Sequence, residues 1–219
     1  MKIKLPLPKR ISPITVEESM LMRRSVRSFT KDPLTWEEIS MLLWSGGGAV
    51  EEGGFKRTVP SAGATYPLEY YCLFGDDSIA SEPKAPAGIY RYKWEDHSLE
   101  LHINSDRRKE LALASLNQKF ISEAPFSIVI AAEYGRTTDY YGERGYRYVH
   151  FEAGHAGQNI YLMATSLGLG TVAVGAFDDD TVKKLLGIPY EPLYIFPVGR
   201  PKEVKRRSFE RLWERYAQK

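Results

Sequence analysis

The sequence predicts an α+β fold, a mostly antiparallel central sheet flanked by helices, in a single domain covering residues 1–219. Three observations predict it. Runs rich in β-branched and aromatic residues recur at 68–74, 89–94, 99–103, 126–133, 171–174 and 193–198. Two of them, 89–94 and 99–103, are joined by the turn Glu95-Asp96-His97 and read as a hairpin. No internal repeat and no linker divides the chain.

The elements follow in order. Thr15-Val16-Glu17-Glu18 and Thr35-Trp36-Glu37-Glu38 both have capping-box spacing, in which the hydroxyl caps a free N–H and the Glu reaches back. They predict a helix running to about Met22 and a second ending at Gly46-Gly47-Gly48. Residues 46–54 read as a flexible loop that is not a P-loop, because no Gly-Lys-Ser/Thr follows. Leu68 to Phe74 is a strand, and Ser105 is expected to cap a helix over 107–116. Phe126 to Glu133 is a buried strand. The longest helix runs from about Tyr146 to Leu167, where Val149, Ala153, Ala156, Ile160, Met163 and Leu167 step by four and three. Gly168 ends it. Thr171 to Val174 is a strand, Asp178 caps a helix to about Leu186, and Leu193 to Val198 is the last strand. The charged tail, 202–219, carries the apolar anchors Phe209, Leu212 and Trp213, and such a tail docks on something, here a second subunit.

The totals narrow the function. With 219 residues, 43% hydrophobic and 26% charged, the chain can bury a real core. A net charge of +2 gives no footprint for nucleic acid. No apolar run approaches the ~20 residues of a membrane span, and Met1 to Arg10 lacks the apolar middle of a signal peptide. The single cysteine, Cys72, excludes an internal disulfide framework and sits within a predicted strand as a core thiol. The expected location is the cytoplasm.

Five constellations bear on chemistry. Arg23-Arg24-Ser25-Val26-Arg27 places three guanidinium groups and a hydroxyl within five residues. An Arg fork matches phosphate bidentately, so the stretch reads as a phosphate or ribityl clamp, with a solvated basic turn as the plain alternative. Pro60-Ser61-Ala62-Gly63-Ala64-Thr65-Tyr66-Pro67 sets small residues between prolines, which predicts a rigid, extended loop that lets backbone approach a flat ligand, or an ordinary connection. Val174-Gly175-Ala176 ends a strand before a capped helix and can present N–H groups to a ring, although any strand-to-helix turn looks the same. Tyr148, Glu152, His155 and Asn159 share one face of the long helix. Glu152-x-x-His155 is half of a di-iron pattern, but the required second pair is missing, so a hydrogen-bonded network is the expectation, with no metal. Lys205-Arg206-Arg207 is a solvated run or a second clamp on the same phosphate. No Ser-His-Asp or Cys-His arrangement and no dinucleotide fingerprint is present.

Taken together, these residues resemble the nitroreductase family, flavin enzymes that bind FMN at a homodimer interface. Arg23-Arg24-Ser25-x-Arg27-x-Phe29 resembles the family's phosphate and ribityl motif, and Pro60 to Gly63 its flavin-facing loop, contributed by one subunit. Gly168-Leu169-Gly170 through Gly175-Ala176-Phe177 resembles the segment over the flavin N5 edge. Pro197-Val198-Gly199 with Lys205 and Arg207 resembles the last strand and final phosphate contacts. Arg144-Gly145-Tyr146-Arg147-Tyr148, Glu152-Ala153-Gly154-His155, Gln158-Asn159 and Gln118 are similar to the SagB-type dehydrogenases, some of which oxidise azoline rings in peptides. A Lys-Tyr pair has a role there, and the matching positions here hold Arg147 and Tyr148. Arg does not give up its proton at working pH.

The resemblance implies an FMN-dependent oxidoreductase with NAD(P)H as a transient donor and a small-molecule or peptide substrate. It implies a homodimer with the long helix at its interface. A non-catalytic flavin-binding partner in a peptide-modifying complex is the alternative. The implied cofactor set is Arg23, Arg24, Ser25, Arg27, Pro60, Ser61, Ala62, Gly63, Ala64, Gln118, Val174, Gly175, Ala176, Lys205 and Arg207, and the candidate catalytic residues are Tyr148, Arg147 and His155. Tyr134, Tyr140, Tyr141, Tyr146 and Tyr148 line the substrate face or serve as core.

Overall fold

The computed structural model describes residues 1–51 and 56–218. Helices α1 (Val16–Met22) and α2 (Trp36–Gly47) begin at the two expected capping boxes. The Glu18 and Glu38 carboxylates accept the backbone N–H of Thr15 and Thr35 at 2.7 and 2.8 Å. The segment 23–27 follows α1 directly.

Seven strands, β1 (Lys2–Lys4), β2 (Leu68–Phe74), β3 (Gly88–Lys93), β4 (Ser98–Ile103), β5 (Phe126–Ala132), β6 (Gly170–Thr171) and β7 (Glu191–Gly199), form one sheet. Its order is β1-β4-β3-β2-β5-β7-β6 and every pairing is antiparallel. All residues of β2 and β5 are buried, so both strands read in sequence as largely apolar runs, interrupted by Glu69 and Ser127, rather than as alternation. Cys72 on β2 is fully buried, and burial pushes its thiol pKa well up, which makes it inert core material.

The remaining helices are α3 (Arg108–Ala114), α4 (Phe120–Glu123), α5 (Gly135–Tyr141), α6 (Arg144–Ser166), α7 (Asp179–Leu186) and α8 (Phe209–Ala217). On one sheet face Cys72, Phe74, Ile128 and Ile130 pack with Leu42 and Leu43 of α2 and Val149, Ala153, Ala156 and Ile160 of α6. On the other, Leu73, Val129 and Ile195 pack with Leu111 of α3 and Val182 and Leu186 of α7. The seam expected on the long helix is therefore its buried face, with Met163 and Leu167 at the margin.

Four expectations are corrected. Gly46 and Gly47 are helical, not loop, because α2 lies against Tyr70 of β2 there. A Cβ on Gly47 would sit 2.7 Å from the Tyr70 hydroxyl, so a glycine is what lets the helix continue. Residues 52–54 of the expected loop lie outside the described residues. Ser105 does not cap α3: Arg107 holds that position without a side-chain cap, and Asp106 accepts the Arg108 N–H at 3.1 Å. The strand expected over 171–174 shrinks to β6 plus an isolated bridge between Val174 and Ile195. Residues 60–67 are not extended. Ala62–Ala64 make a 3₁₀ turn, and Gly63, Ala64 and Tyr66 have φ of 60°, 53° and 44°.

Candidate functional site

Two residues of the basic segment, Arg23 and Ser25, meet at one side chain of α6, Tyr161. Ser25 pairs with Thr171 of β6, and the Val26 N–H donates to the Thr171 carbonyl at 2.9 Å. That fixes the basic segment beside the sheet edge. The Ser25 hydroxyl lies 3.0 Å from the Tyr161 hydroxyl, which also accepts the Ala173 N–H at 2.8 Å. The Arg23 guanidinium stands 5.0 Å from the Tyr161 ring centroid, a cation–π contact. The tail closes the cluster. Arg207 donates to the carbonyls of Leu21 and Arg23 at 3.0 and 3.2 Å, the free C=O groups at the end of α1. Arg24 donates to the Glu203 carbonyl, and Arg24 and Lys205 line one groove. Arg27 is exposed. Arg23, Arg24, Ser25, Lys205 and Arg207 are thus brought together as expected. So many charge-assisted donors on one face suit a dianion such as a phosphate ester.

The second expected edge adjoins this cluster. Val174 exchanges backbone hydrogen bonds with Ile195 at 2.8 and 2.9 Å, after which Gly175 and Ala176 emerge exposed. The Gln118 amide donates to the Ala176 carbonyl at 3.1 Å and steadies the turn.

The loop at 60–64 sits higher on α6. Its residues Pro60, Ser61 and Ala62 line, with Tyr148, Phe151, Glu152 and His155, an open cavity of about 240 Å³. Nine residues separate Glu152 from Tyr161, about 13 Å along the helix, so a single chain holds two groups of site residues on successive levels. Ser61 lines the cavity beside Glu152, and its hydroxyl accepts the Tyr66 N–H at 2.9 Å. This pairing holds the left-handed backbone at Ala64 and Tyr66, a conformation that non-glycine residues adopt at a cost of about 1–3 kcal/mol. The Arg57 guanidinium is stacked between the rings of Tyr66, at 4.3 Å, and Trp94, at 3.8 Å. Burial pushes the Glu152 carboxyl up to about 7, against the opposing pulls of Ser61 and Arg57.

The expected polar face of α6 divides. Asn159 donates to the Ser45 and Thr58 carbonyls at 3.0 and 3.3 Å and is a structural tie. Tyr148 and the exposed His155 line the cavity, whereas Arg147 is exposed and does not. Tyr148 packs edge-on to Tyr141, whose hydroxyl approaches Gly63. Among the described residues no His, Cys, Asp and Glu group is placed to hold a metal. Sequence reasoning missed Tyr161 and Arg57. Each acts through partners distant in the chain, and nothing local marks either one.

Tyr161→Phe keeps the ring, its contact with Arg23 and its edge-on packing on Phe196 at 5.9 Å. It removes the hydroxyl shared by Ser25 and Ala173. The expected loss is about 1–3 kcal/mol, because the partners left behind lose their hydrogen bonds. In urea it appears as a lower midpoint at unchanged slope.

Residues 20–200 match the family model described as the nitroreductase family. A protein of Methanocaldococcus jannaschii, provisionally named a nitroreductase, is 50% identical over 200 residues, covering 91% of this chain and 96% of its own. A crystal structure of a nitroreductase-type protein from Ralstonia eutropha superposes with a TM-score of 0.78 at 29% identity, covering 92% of this chain and 90% of that one. A chain of the Escherichia coli microcin synthetase McbBCD complex, solved with truncated pro-MccB17 bound, shares the fold with a TM-score of 0.71 at 22% identity, covering 91% of this chain and 78% of that one. The chain belongs to the nitroreductase family, whose members are generally flavin oxidoreductases.

Proposed function

We propose that the protein is an FMN-dependent oxidoreductase acting as a homodimer on a small-molecule or peptide substrate, with NAD(P)H or an organic molecule as donor. Arg23, Arg24, Ser25, Lys205 and Arg207 hold the phosphate and ribityl chain, and Arg27 reaches toward the N1 and C2 edge of the ring. A guanidinium there stabilises negative charge on the reduced ring. Val174, Gly175 and Ala176, steadied by Gln118, face N5, and the Pro60–Ala64 loop packs over the ring from the other protomer. When bound, FMN supplies two-electron hydride chemistry at N5, while the protein supplies binding, orientation and electrostatics.

The observation that carries this reading is the return of the tail. Arg207 lands on the carbonyls at the end of α1, so basic residues from both ends of the chain meet beside the segment that pairs with β6. Helix α8 has no buried residue and leaves Trp213 and Tyr216 exposed, which supports docking of the tail on the partner subunit.

Stopped-flow mixing of the flavin-loaded protein with NADH and with NADPH tests the function. Rapid bleaching with either identifies a nicotinamide-using reductase. Failure with both, but bleaching by a reduced organic substrate, identifies a dehydrogenase. Failure with every donor leaves the second reading, a flavin-binding subunit of a peptide-modifying assembly, which the fold shared with the McbBCD chain supports. Sedimentation of the same sample gives a dimer, and a chain cut after Arg207 dissociates at higher concentration than the full chain.

A further inference from the structure

Glu152 is 5% exposed, yet its carboxyl lies on the wall of a cavity about 240 Å³ in volume. A carboxyl placed so costs free energy if ionised without a strong partner. The groups facing it are few. Ser61 lines the cavity with it from the loop, and Arg57 acts on it as a charge from between two aromatic rings. Tyr70 faces it from β2, itself fully buried and held neutral, its pKa pushed well up by burial. Tyr148 and His155 flank it on α6. Glu69, the other carboxylate near Arg57, is already paired with Arg91 and Arg136 at 2.9 and 2.7 Å. His155 lies one turn from Glu152, lines the same cavity and is exposed, so the cavity is open to solvent there.

We infer that Glu152 is the proton reservoir of this site. It gives its proton to a substrate in the cavity and regains one from solvent at the open side, where His155 is exposed. The inference rests on the oxidoreductase reading above and deepens it. The fitting substrate is a conjugated acceptor whose heteroatom ends protonated, such as a quinone carbonyl or a C=N group. Its reduction takes a hydride, with its electron pair, from a reduced flavin, and a proton. The Glu152 O–H bond breaks with its electron pair staying on the carboxylate, the substrate gains a heteroatom–H bond, and Arg57 steadies the new carboxylate until it is reprotonated. A carboxyl that burial has pushed up to about 7 is poised for this at neutral pH.

Two readouts test it on the full-length protein. The first is independent of activity: wild type shows the infrared carbonyl band of a protonated buried carboxyl below pH 7, which fades as pH rises and is absent from Glu152→Gln. The second is reoxidation of the dithionite-reduced, FMN-loaded protein by p-benzoquinone. In wild type the rate falls above pH 7. In Glu152→Gln it is about a hundredfold slower below pH 7 and loses that fall. A missing band in wild type, or an unchanged pH profile in Glu152→Gln at full flavin occupancy, overturns the inference. Wild type that takes up no flavin overturns the reading beneath it, and the infrared arm distinguishes the two failures.

Discussion

FMN binds at least tenfold more weakly to Arg23→Ala and to Arg27→Ala than to the unaltered chain. Each change removes a charge-assisted contact worth about 1.5–3 kcal/mol, and about 1.4 kcal/mol corresponds to a factor of ten. The two arginines are expected to differ in what they hold. Arg23 stands over Tyr161 beside the tail arginine and is the one proposed for the phosphate. Arg27, exposed one residue beyond the buried Val26, is the one proposed for the ring. Riboflavin, which has no phosphate, separates the roles. Its affinity falls in Arg27→Ala and stays near the wild-type value in Arg23→Ala. Fluorescence quenching measures both ligands. An Arg23→Ala protein that binds FMN as well as wild type does removes the phosphate assignment.

Stability falls as pH rises from about 4.5 to 7 by an amount that Glu152→Gln abolishes. The folded chain keeps the Glu152 proton up to about 7, whereas in the unfolded chain it leaves near the ordinary 4.5. Between these values the folded state binds more protons, so raising the pH favours unfolding. A shift of about 2.5 units is worth roughly 3 kcal/mol at 1.36 kcal/mol per unit. His97 acts in the opposite sense. Burial lowers its pKa, so its contribution is present above the ordinary 6.5 and is lost as pH falls. The quantity to follow is therefore the difference between Glu152→Gln and wild type in urea titrations, in which His97 cancels. That difference grows in favour of the variant by about 3 kcal/mol across the window. A difference that stays constant means that Glu152 titrates as an ordinary surface acid.

The local chemistry of the fold was legible. Capping boxes are written within four residues, so α1 and α2 start where expected. Buried strands announce themselves as apolar runs, so β2 matches its expected limits. Elements made by tertiary contact were not legible. Strand β1 is three residues, two of them lysines, and exists because Ile3 pairs with Leu99 of β4. Helix α5 starts without a side-chain cap and forms against α6.

The same divide runs through the site. Clustered arginines are visible as a cluster. Tyr161 gains its role only when the fold brings Ser25 and Ala173 to it. The loop at 60–67 was expected to be extended from its prolines. The Ser61 hydroxyl, accepting the Tyr66 N–H, bends it into a left-handed turn that Gly63 accommodates but that Ala64 and Tyr66 do not favour.

Titration of the apoprotein with FMN, followed by the visible flavin absorbance, tests the account most directly. The account predicts a yellow protein that saturates at one FMN per chain and loses that uptake in the Arg23→Ala/Arg27→Ala double variant. A protein that stays colourless in excess FMN contradicts it, as does uptake that the double variant retains in full.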